Sequence, residues 1–323
     1  MVEYIAAIVV GIALLVWGAD RFVVGASSLA KNFGVSPLLI GLTIVGFGTS
    51  LPEMLVSATA AFQGNSNLAI GNAIGSNITN IALIIGLTAL IAPISIHSKI
   101  LFREFPILVA ACLLTLLLLL DGSLSRFDGI ILFSCIILLM LWMVRVDRQS
   151  EGDDTIQSEF ETELPESMSM LAAFIWFLLG LCILIISSKL IVWGAVALAK
   201  DFGVSDLVIG LTIIALGTSL PELAASVMSV MKNEHDLAIG NIIGSNLYNM
   251  LAVLSMPGII DPGVFSELVL QRDFPIMLIL TFVLWAMCYG TKNNGIVNRF
   301  EGALLLLAYG TYQALIYFQT TGV

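Results

Sequence analysis

Charged residues are scarce in this chain. Only 11% of its 323 residues are Asp, Glu, Lys or Arg, whereas 59% are hydrophobic and the mean hydropathy is +1.02. About a quarter of the residues of a soluble domain are charged, so this composition excludes that class and predicts a polytopic membrane protein. The first apolar run starts at Tyr4 without a basic segment or a small-residue cleavage site. We therefore expect a transmembrane helix there and not a signal peptide.

Cysteine and histidine are few and scattered. None of them belongs to a C-x-x-C pair or lies beside another metal ligand: Cys112, Cys135, Cys182, Cys288, His97 and His235. We expect the cysteines to be buried and structural, and we expect the histidines to lie in loops. A soft-metal site is excluded, and without a nucleophile–base pair neither an enzyme nor a resident cofactor is predicted. Clusters of basic residues are also missing, so no nucleic-acid partner is expected.

The acidic residues are concentrated in one polar stretch, residues 147–169. Eight acids stand there against Arg148, which accounts for most of the net charge of −10. The stretch is too short and too polar to fold alone, so we predict a flexible cytoplasmic linker between residues 1–146 and 170–323. Calcium sensing by these acids stays open, although the D-x-D-x-D-G pattern is missing.

Ten apolar segments are long enough to cross a hydrocarbon core about 30 Å thick. They cover residues 4–29, 37–62, 68–93, 105–120, 127–144, 170–198, 207–231, 237–260, 274–290 and 300–318. A shift of 169 residues aligns positions 35–80 with 204–249 without a gap, and 25 of the 46 pairs are identical. Each half holds five spans, an odd number. The second half must therefore enter the membrane from the side opposite to the first. The sequence thus predicts an all-α protein of ten transmembrane helices in two inverted five-helix repeats.

Cations in the loops predict the orientation. If the N-terminus lies outside, eight cations fall in cytoplasmic loops: Lys31, Lys99, Arg103, Arg145, Arg148, Lys232, Lys292 and Arg299. The other face has Arg126, Lys200 and Arg272. The positive-inside rule therefore favours both termini outside.

One six-residue motif occurs once in each half. G-T-S-L-P-E stands at residues 48–53 and again at 217–222, inside apolar spans. Each copy brings a helix-breaking proline, which frees carbonyls near Gly46 and Gly48, and a carboxylate, Glu53 or Glu222. A charge at membrane depth costs about 2.5–3.5 kcal/mol even on the lenient insertion scale, so each acid marks a functional site more readily than a structural hydrogen bond.

A second motif follows each copy by about 20 residues. It places Ser76 and Asn80 four apart on one helix face, and likewise Ser245 and Asn249. Hydroxyl, amide and carbonyl oxygens with one carboxylate per half suit a hard cation such as Ca²⁺ or Na⁺. Close helix packing is the alternative for the two serines, and it is the preferred interpretation of the spacing of Gly71 and Gly75 and of Gly240 and Gly244.

With these motifs, the duplication and the ten spans, the chain resembles the calcium:cation antiporter superfamily, specifically its bacterial sodium/calcium exchanger homologues. The resemblance covers all but the linker. It implies a core of spans 2, 3, 7 and 8, with spans 1 and 6 sliding over it as a gate. It also implies coordination of cations by Thr49, Ser50, Glu53, Ser76, Asn80, Thr218, Ser219, Glu222, Ser245 and Asn249, and by the carbonyls of Gly46 and Ala215.

One residue departs from the family pattern. Many sodium-coupled members have an aspartate where Asn249 stands, so this site would have two carboxylates and not three. We predict a secondary active antiporter that exchanges Ca²⁺ for Na⁺ by alternating access in a bacterial inner membrane. A proton-driven or potassium-dependent antiporter and a cation channel remain alternatives. The expected partners are the two transported ions and the lipid bilayer. No obligate protein partner is expected.

Overall fold

The computed structural model describes residues 1–150, 168–202, 215–288 and 294–321. In the first half the α-helices are α1 (Val2–Phe33), α2 (Pro37–Ile40), α3 (Gly46–Thr49), α4 (Leu51–Phe62), α5 (Ser66–Ile78), α6 (Gly86–Ile91), α7 (Ser98–Leu119) and α8 (Arg126–Ser150). In the second half they are α9 (Met170–Asp201), α10 (Ala215–Thr218), α11 (Leu220–Met231), α12 (His235–Tyr248), α13 (Ser255–Ile260), α14 (Phe274–Cys288) and α15 (Arg299–Thr321). Wider π-helical turns occupy Gly41–Val45, Thr79–Ile85, Asn249–Val253 and Val269–Asp273.

Within the described residues, seven helical segments are long and apolar enough to cross a membrane. They are Val2–Phe33, Ser66–Ile91, Phe102–Leu119, Arg126–Val146, Met170–Asp201, His235–Ile260 and Val269–Cys288. Pro37–Thr49 and Leu51–Phe62 form an eighth if the pair, bent by 43°, is one span. Of the two remaining predicted spans, one lies partly outside the described residues and continues as the short apolar helix α11. The other is α15, which is helical but more polar.

Helices α1 and α9 form a long antiparallel pair. Gly11, Gly18 and Gly25 recur every seven residues on α1, and a Cβ at any of them would collide with α9. Gly11 faces Ile191 and Gly25 faces Phe177, so the two chains run in opposite directions. Small residues at such positions let two membrane helices approach closely without a hydrophobic driving force.

The N-terminal half of span 2 packs just as closely on α12. A Cβ on Gly240 would lie 2.6 Å from the Leu38 carbonyl oxygen and 3.0 Å from Gly41 Cα, and one on Gly244 would lie 2.5 Å from the Leu42 carbonyl oxygen. The packing interpretation is thus confirmed for Gly240 and Gly244. Their repeat equivalents differ: Gly71 is exposed, and within the described ranges no atom lies within 4 Å of a Cβ built on Gly71 or Gly75.

In the described part of the chain, four short strands occur in addition to the predicted helices. β1 (Ile94–His97) pairs antiparallel with β4 (Asn294–Val297), and β2 (Ser123–Leu124) pairs antiparallel with β3 (Gly263–Val264). β1 and β2 flank the 22-residue helix α7, so the two pairs lie at opposite ends of it. Each pair joins a loop of one half to a loop of the other.

Several smaller expectations were wrong. Cys182 is exposed and Cys135 half-buried, because they lie on outward faces of their helices, while Cys112 and Cys288 are buried as expected. His97 belongs to a strand and His235 begins a helix. Helix α8 continues to Ser150, four residues into the stretch assigned to the linker, and residues 151–167 lie outside the described part of the chain.

Candidate functional site

The membrane helix of span 2 breaks within its G-T-S-L-P-E motif. Helix α3 ends at Thr49 and α4 starts at Leu51, with Ser50 between them. Pro52 has no N–H, so the Gly48 carbonyl loses its donor four residues later. In the second copy α10 ends at Thr218 and α11 starts at Leu220. A sharp break with freed backbone groups therefore lies at the same point of both repeats.

Each glutamate occupies the first turn of the helix that follows the break. Glu53 is the third residue of α4, and Glu222 is the third residue of α11. The N-terminus of a helix carries partial positive charge, which favours a carboxylate. Both side chains are almost completely buried, at 1% and 2% exposure. The chain thus places two acids deep in the structure. The helix N-termini stabilise them, and neither acid takes part in an ion pair with a lysine or arginine among the described residues.

Two π-helical turns shape the second motif. Thr79–Ile85 contains Asn80, and Asn249–Val253 begins at Asn249. A π turn inserts one residue into the helical register and is frequent at functional sites. Its occurrence at equivalent positions of the two repeats was not anticipated, since apolar sequences such as residues 81–85 are compatible with a regular helix.

Buried oxygens without a hydrogen-bond partner in the described structure converge on these motifs. They are both Glu53 carboxylate oxygens, Glu222 Oε2, Ser50 Oγ, Ser219 Oγ, Asn77 Oδ1, Asn80 Oδ1 and Asn249 Oδ1. A buried polar atom left without a partner costs about 1–3 kcal/mol, and a charged one more. A set of eight such oxygens is unfavourable by itself, and a bound cation would satisfy them.

Side chains of the two halves meet at this point. Thr49 Oγ1 donates to Asn241 Oδ1 at 3.0 Å and lies 3.3 Å from Ser245 Oγ. Asn80 Nδ2 donates to Asn246 Oδ1 at 3.0 Å. Asn241, which accepts from Thr49, also donates to the Glu222 carbonyl oxygen at 3.3 Å, so the two carboxylate-bearing turns are joined through it. The repeated motifs thus form one cluster.

The predicted site residues are placed as follows. Ten are buried: Gly46, Thr49, Ser50, Glu53, Ser76, Asn80, Ser219, Glu222, Ser245 and Asn249. Thr218 is half-buried, and Ala215 is the first residue of α10 at the edge of a described range. The Gly46 carbonyl was expected to be free but accepts the Ser50 N–H at 3.1 Å, because the missing N–H of Pro52 affects the Gly48 carbonyl and not that of Gly46. The Thr49 hydroxyl also lies 3.4 Å from that oxygen.

Two asparagines that the sequence did not single out brace the cluster. Asn72 Nδ2 donates to the Glu53 carbonyl oxygen at 3.2 Å and to Ser57 Oγ at 3.0 Å. Asn241 Nδ2 donates to the Glu222 carbonyl oxygen at 3.3 Å and to Ser226 Oγ at 2.9 Å. The equivalent bonds agree to within 0.1 Å. The sequence carried a signal for them, since the two Asn and the two Ser are identical in the 169-residue alignment.

The chemistry of the cluster is that of a hard-cation site. Among the described residues, no group of three or more His, Cys, Asp or Glu side chains can hold a metal ion. A ligand set here would combine two carboxylates with neutral hydroxyl, amide and carbonyl oxygens. Ca²⁺ takes 6–8 oxygens, and two carboxylates neutralise its charge.

Comparison with known proteins agrees with this chemistry. The sequence pattern of the family described as sodium/calcium exchanger protein matches residues 3–145 and 172–318. The chain is 49% identical to the putative antiporter CaxA of Alkalimonas amylolytica, covering 96% of this chain and 97% of that one. It is 41% identical to the inner membrane protein YrbG of Escherichia coli strain K12, covering 97% and 96%.

A solved structure of the sodium-calcium exchanger NCX_Mj has the same fold. It superposes with a TM-score of 0.83 at 28% identity, covering 98% of this chain and 99% of that one. Members of this family are transporters and not enzymes. The match spans both halves of the molecule, and this chain therefore belongs to the sodium/calcium exchanger protein family.

Proposed function

We propose that this chain exchanges Ca²⁺ for Na⁺ by alternating access, with the ions bound between the two G-T-S-L-P-E motifs. The observation that supports it best is the set of buried, partnerless oxygens around Glu53 and Glu222. Two uncompensated carboxylates are costly when they are shut off from water at membrane depth, so the gate can close over the site and change its access only when cations are bound. Competition of Ca²⁺ and Na⁺ for the same oxygens then couples their opposite movements. The proposed ligands are the twelve residues of the sequence prediction.

The proposal includes the architecture of two inverted five-helix repeats, residues 1–146 and 170–323, with ten transmembrane helices in all. The two strand pairs support it. The 169-residue shift places β1 on the loop of β3. Near the end of the repeat the shift grows by four residues, since R-F-D-G at 126–129 aligns with R-F-E-G at 299–302, and this shift places β2 on β4. The β1–β4 pair is thus the equivalent of the β2–β3 pair at the other end of α7. Two-fold symmetry about an axis in the membrane plane has this consequence.

We further place the chain in a bacterial inner membrane with both termini outside. The loop cations favour this orientation, and a relative with 41% identity is an inner membrane protein.

The decisive test is calcium uptake into sodium-loaded proteoliposomes. Glu53→Gln and Glu222→Gln keep the side-chain size but remove a charge that a bound Ca²⁺ needs. We expect each to reduce sodium-driven uptake to the level of empty liposomes, with both variants still eluting as folded protein. Uptake at the wild-type rate in either variant contradicts the proposal.

The same vesicles separate the alternative transport modes. Flux that persists without sodium and follows a pH gradient selects a proton antiporter, and a requirement for internal potassium selects potassium dependence. Calcium flux without any counter-ion selects a channel.

A further inference from the structure

Asn241 lies at the centre of the cluster and is 1% exposed. Both hydrogens of its amide are used, since Nδ2 donates to the Glu222 carbonyl oxygen and to Ser226 Oγ. A backbone carbonyl only accepts, so the nitrogen must face it and the orientation of the amide follows. Oδ1 is thereby fixed on the opposite side, facing the first half of the chain.

The group that Oδ1 faces is the hydroxyl of Thr49, 3.0 Å away. A hydroxyl has one hydrogen, and Thr49 has competing acceptors within its own helix, the Val45 carbonyl oxygen at 3.2 Å and that of Gly46 at 3.4 Å. Threonines within helices commonly bond back to such carbonyls. Oδ1 is nearer than either carbonyl and nearer than Ser245 Oγ at 3.3 Å, and a hydrogen directed to it turns the Thr49 lone pairs away from Asn241.

We infer that Asn241 is a positioning residue that orients the Thr49 hydroxyl, so that its lone pairs face the bound cation. The inference rests on the proposed function. Asn241 acts through Thr49 and through the backbone of Glu222, and so it ties a ligand of the first half to the carboxylate-bearing turn of the second. Asn72 makes the equivalent bonds to Glu53 and Ser57, and it provides a matched control.

A double-mutant cycle tests this role. Thr49→Val removes the hydroxyl and Asn241→Ala removes its acceptor. We expect each change to raise the KM for Ca²⁺ by about five- to tenfold with a smaller effect on the maximal rate, as for loss of one hydrogen-bonded ligand. The double variant should have a KM clearly below the product of the two single effects, because the part of the Asn241 effect that acts through Thr49 is already lost in Thr49→Val, while the part that acts through the Glu222 backbone is not. In the control, the double variant Asn72→Ala with Thr49→Val should raise the KM for Ca²⁺ by the product of the two single effects.

Two further measurements keep the test decisive. Asn241→Ser keeps a hydroxyl towards the Glu222 carbonyl but withdraws the acceptor from Thr49, and it replaces Asn241→Ala if that variant does not fold. Stabilisation of the detergent-solubilised protein by added Ca²⁺ reports affinity without transport. Multiplicative effects of the Asn241 and Thr49 changes, or an unchanged KM, overturn the inference. If Glu53→Gln and Glu222→Gln abolish uptake in the same preparations, the proposed function survives that failure.

Discussion

Helices α5 and α12 have closely similar sequences but different surroundings. Both contain A-I-G-N-x-I-G-S-N, and both hold an asparagine brace with the same bond lengths to within 0.1 Å. Yet Gly240 and Gly244 are buried against span 2, whereas Gly71 is exposed and Gly75 is half-buried. The repeats thus share the geometry of the site and differ in how the helices around it pack.

The contacts of α9 show the same asymmetry. Gly217 faces Val192 of α9, so symmetry would place Gly48 against Val23 of α1. The three atoms nearest to a Cβ on Gly48 instead belong to Leu181, which is also in α9. One helix therefore lies against both motifs. Two halves in unequal conformations around a common site are what alternating access by inverted repeats requires.

Substitution of Gly240 or Gly244 in α12 should have the largest effect on stability and transport. Gly240→Ala or Gly244→Ala places a methyl group against the backbone of span 2, which should cost about 1–3 kcal/mol or more by overpacking. We expect a lower melting temperature of the purified protein and loss of transport.

The equivalent changes in α5 sharpen the comparison. Gly71→Ala and Gly75→Ala should leave the melting temperature unchanged and slow turnover, if α5 is buried in the opposite access state as α12 is here. Wild-type turnover in both variants would show that the α5 face never closes, and equal destabilisation by all four changes would show that the asymmetry is absent in solution.

A smaller loss of stability is expected from the serine that contacts the second copy of the G-T-S-L-P-E motif. Ser188 Oγ donates to the Gly217 carbonyl oxygen, the group that Pro221 deprives of its regular donor. Ser188→Ala should destabilise the protein by about 1–3 kcal/mol. The neighbouring Ser187 Oγ donates to the Leu184 carbonyl oxygen within α9, so Ser187→Ala is the matched control and should cost less. Equal melting temperatures for the two variants would remove the capping role.

The smallest effect should come from an ion pair between α1 and the end of α11. Lys232 Nζ lies 2.7 Å from Asp20 Oδ1, and both side chains are about one-third exposed. Their repeat equivalents, Gln63 and Lys189, cannot form such a pair, so it exists on one side of the molecule only. An exposed pair contributes up to about 1 kcal/mol.

Asp20→Asn should therefore raise the initial transport rate by at most about fivefold, because α1 is released from the core. High salt should reduce the difference between variant and wild type. Lys189→Gln removes a charge at the equivalent position and should have no effect. A rate increase from Lys189→Gln as large as that from Asp20→Asn would assign the effect to overall charge.

The sequence predicted the features that follow from residue type. Proline explains the break before Glu53 and Glu222, composition explains the long apolar helices, and the repeated motifs explain why both halves supply the same kinds of side-chain oxygen. These are local or repeated patterns, and each has a direct physical cause.

Other features depend on tertiary contacts and were missed. The π turn at Asn80 occurs in residues that a regular helix accepts equally well. The hydrogen bond from Asn72 depends on which carbonyl oxygen of the neighbouring helix faces it. Strands of two to four residues are too short to give an alternating hydrophobic pattern in the sequence. The exposure of Gly71 is a property of the conformation, which two nearly identical sequences cannot reveal.

The two strand pairs have a consequence for how the molecule can be divided. β1–β4 and β2–β3 fasten a loop of one half to a loop of the other at both ends of α7, in addition to the glycine contacts of α12. None of these attachments involves the acidic stretch. Residues 1–146 and 170–323, produced as two separate polypeptides, should therefore find each other in the membrane and co-purify, which makes the covalent connection dispensable once both have been inserted.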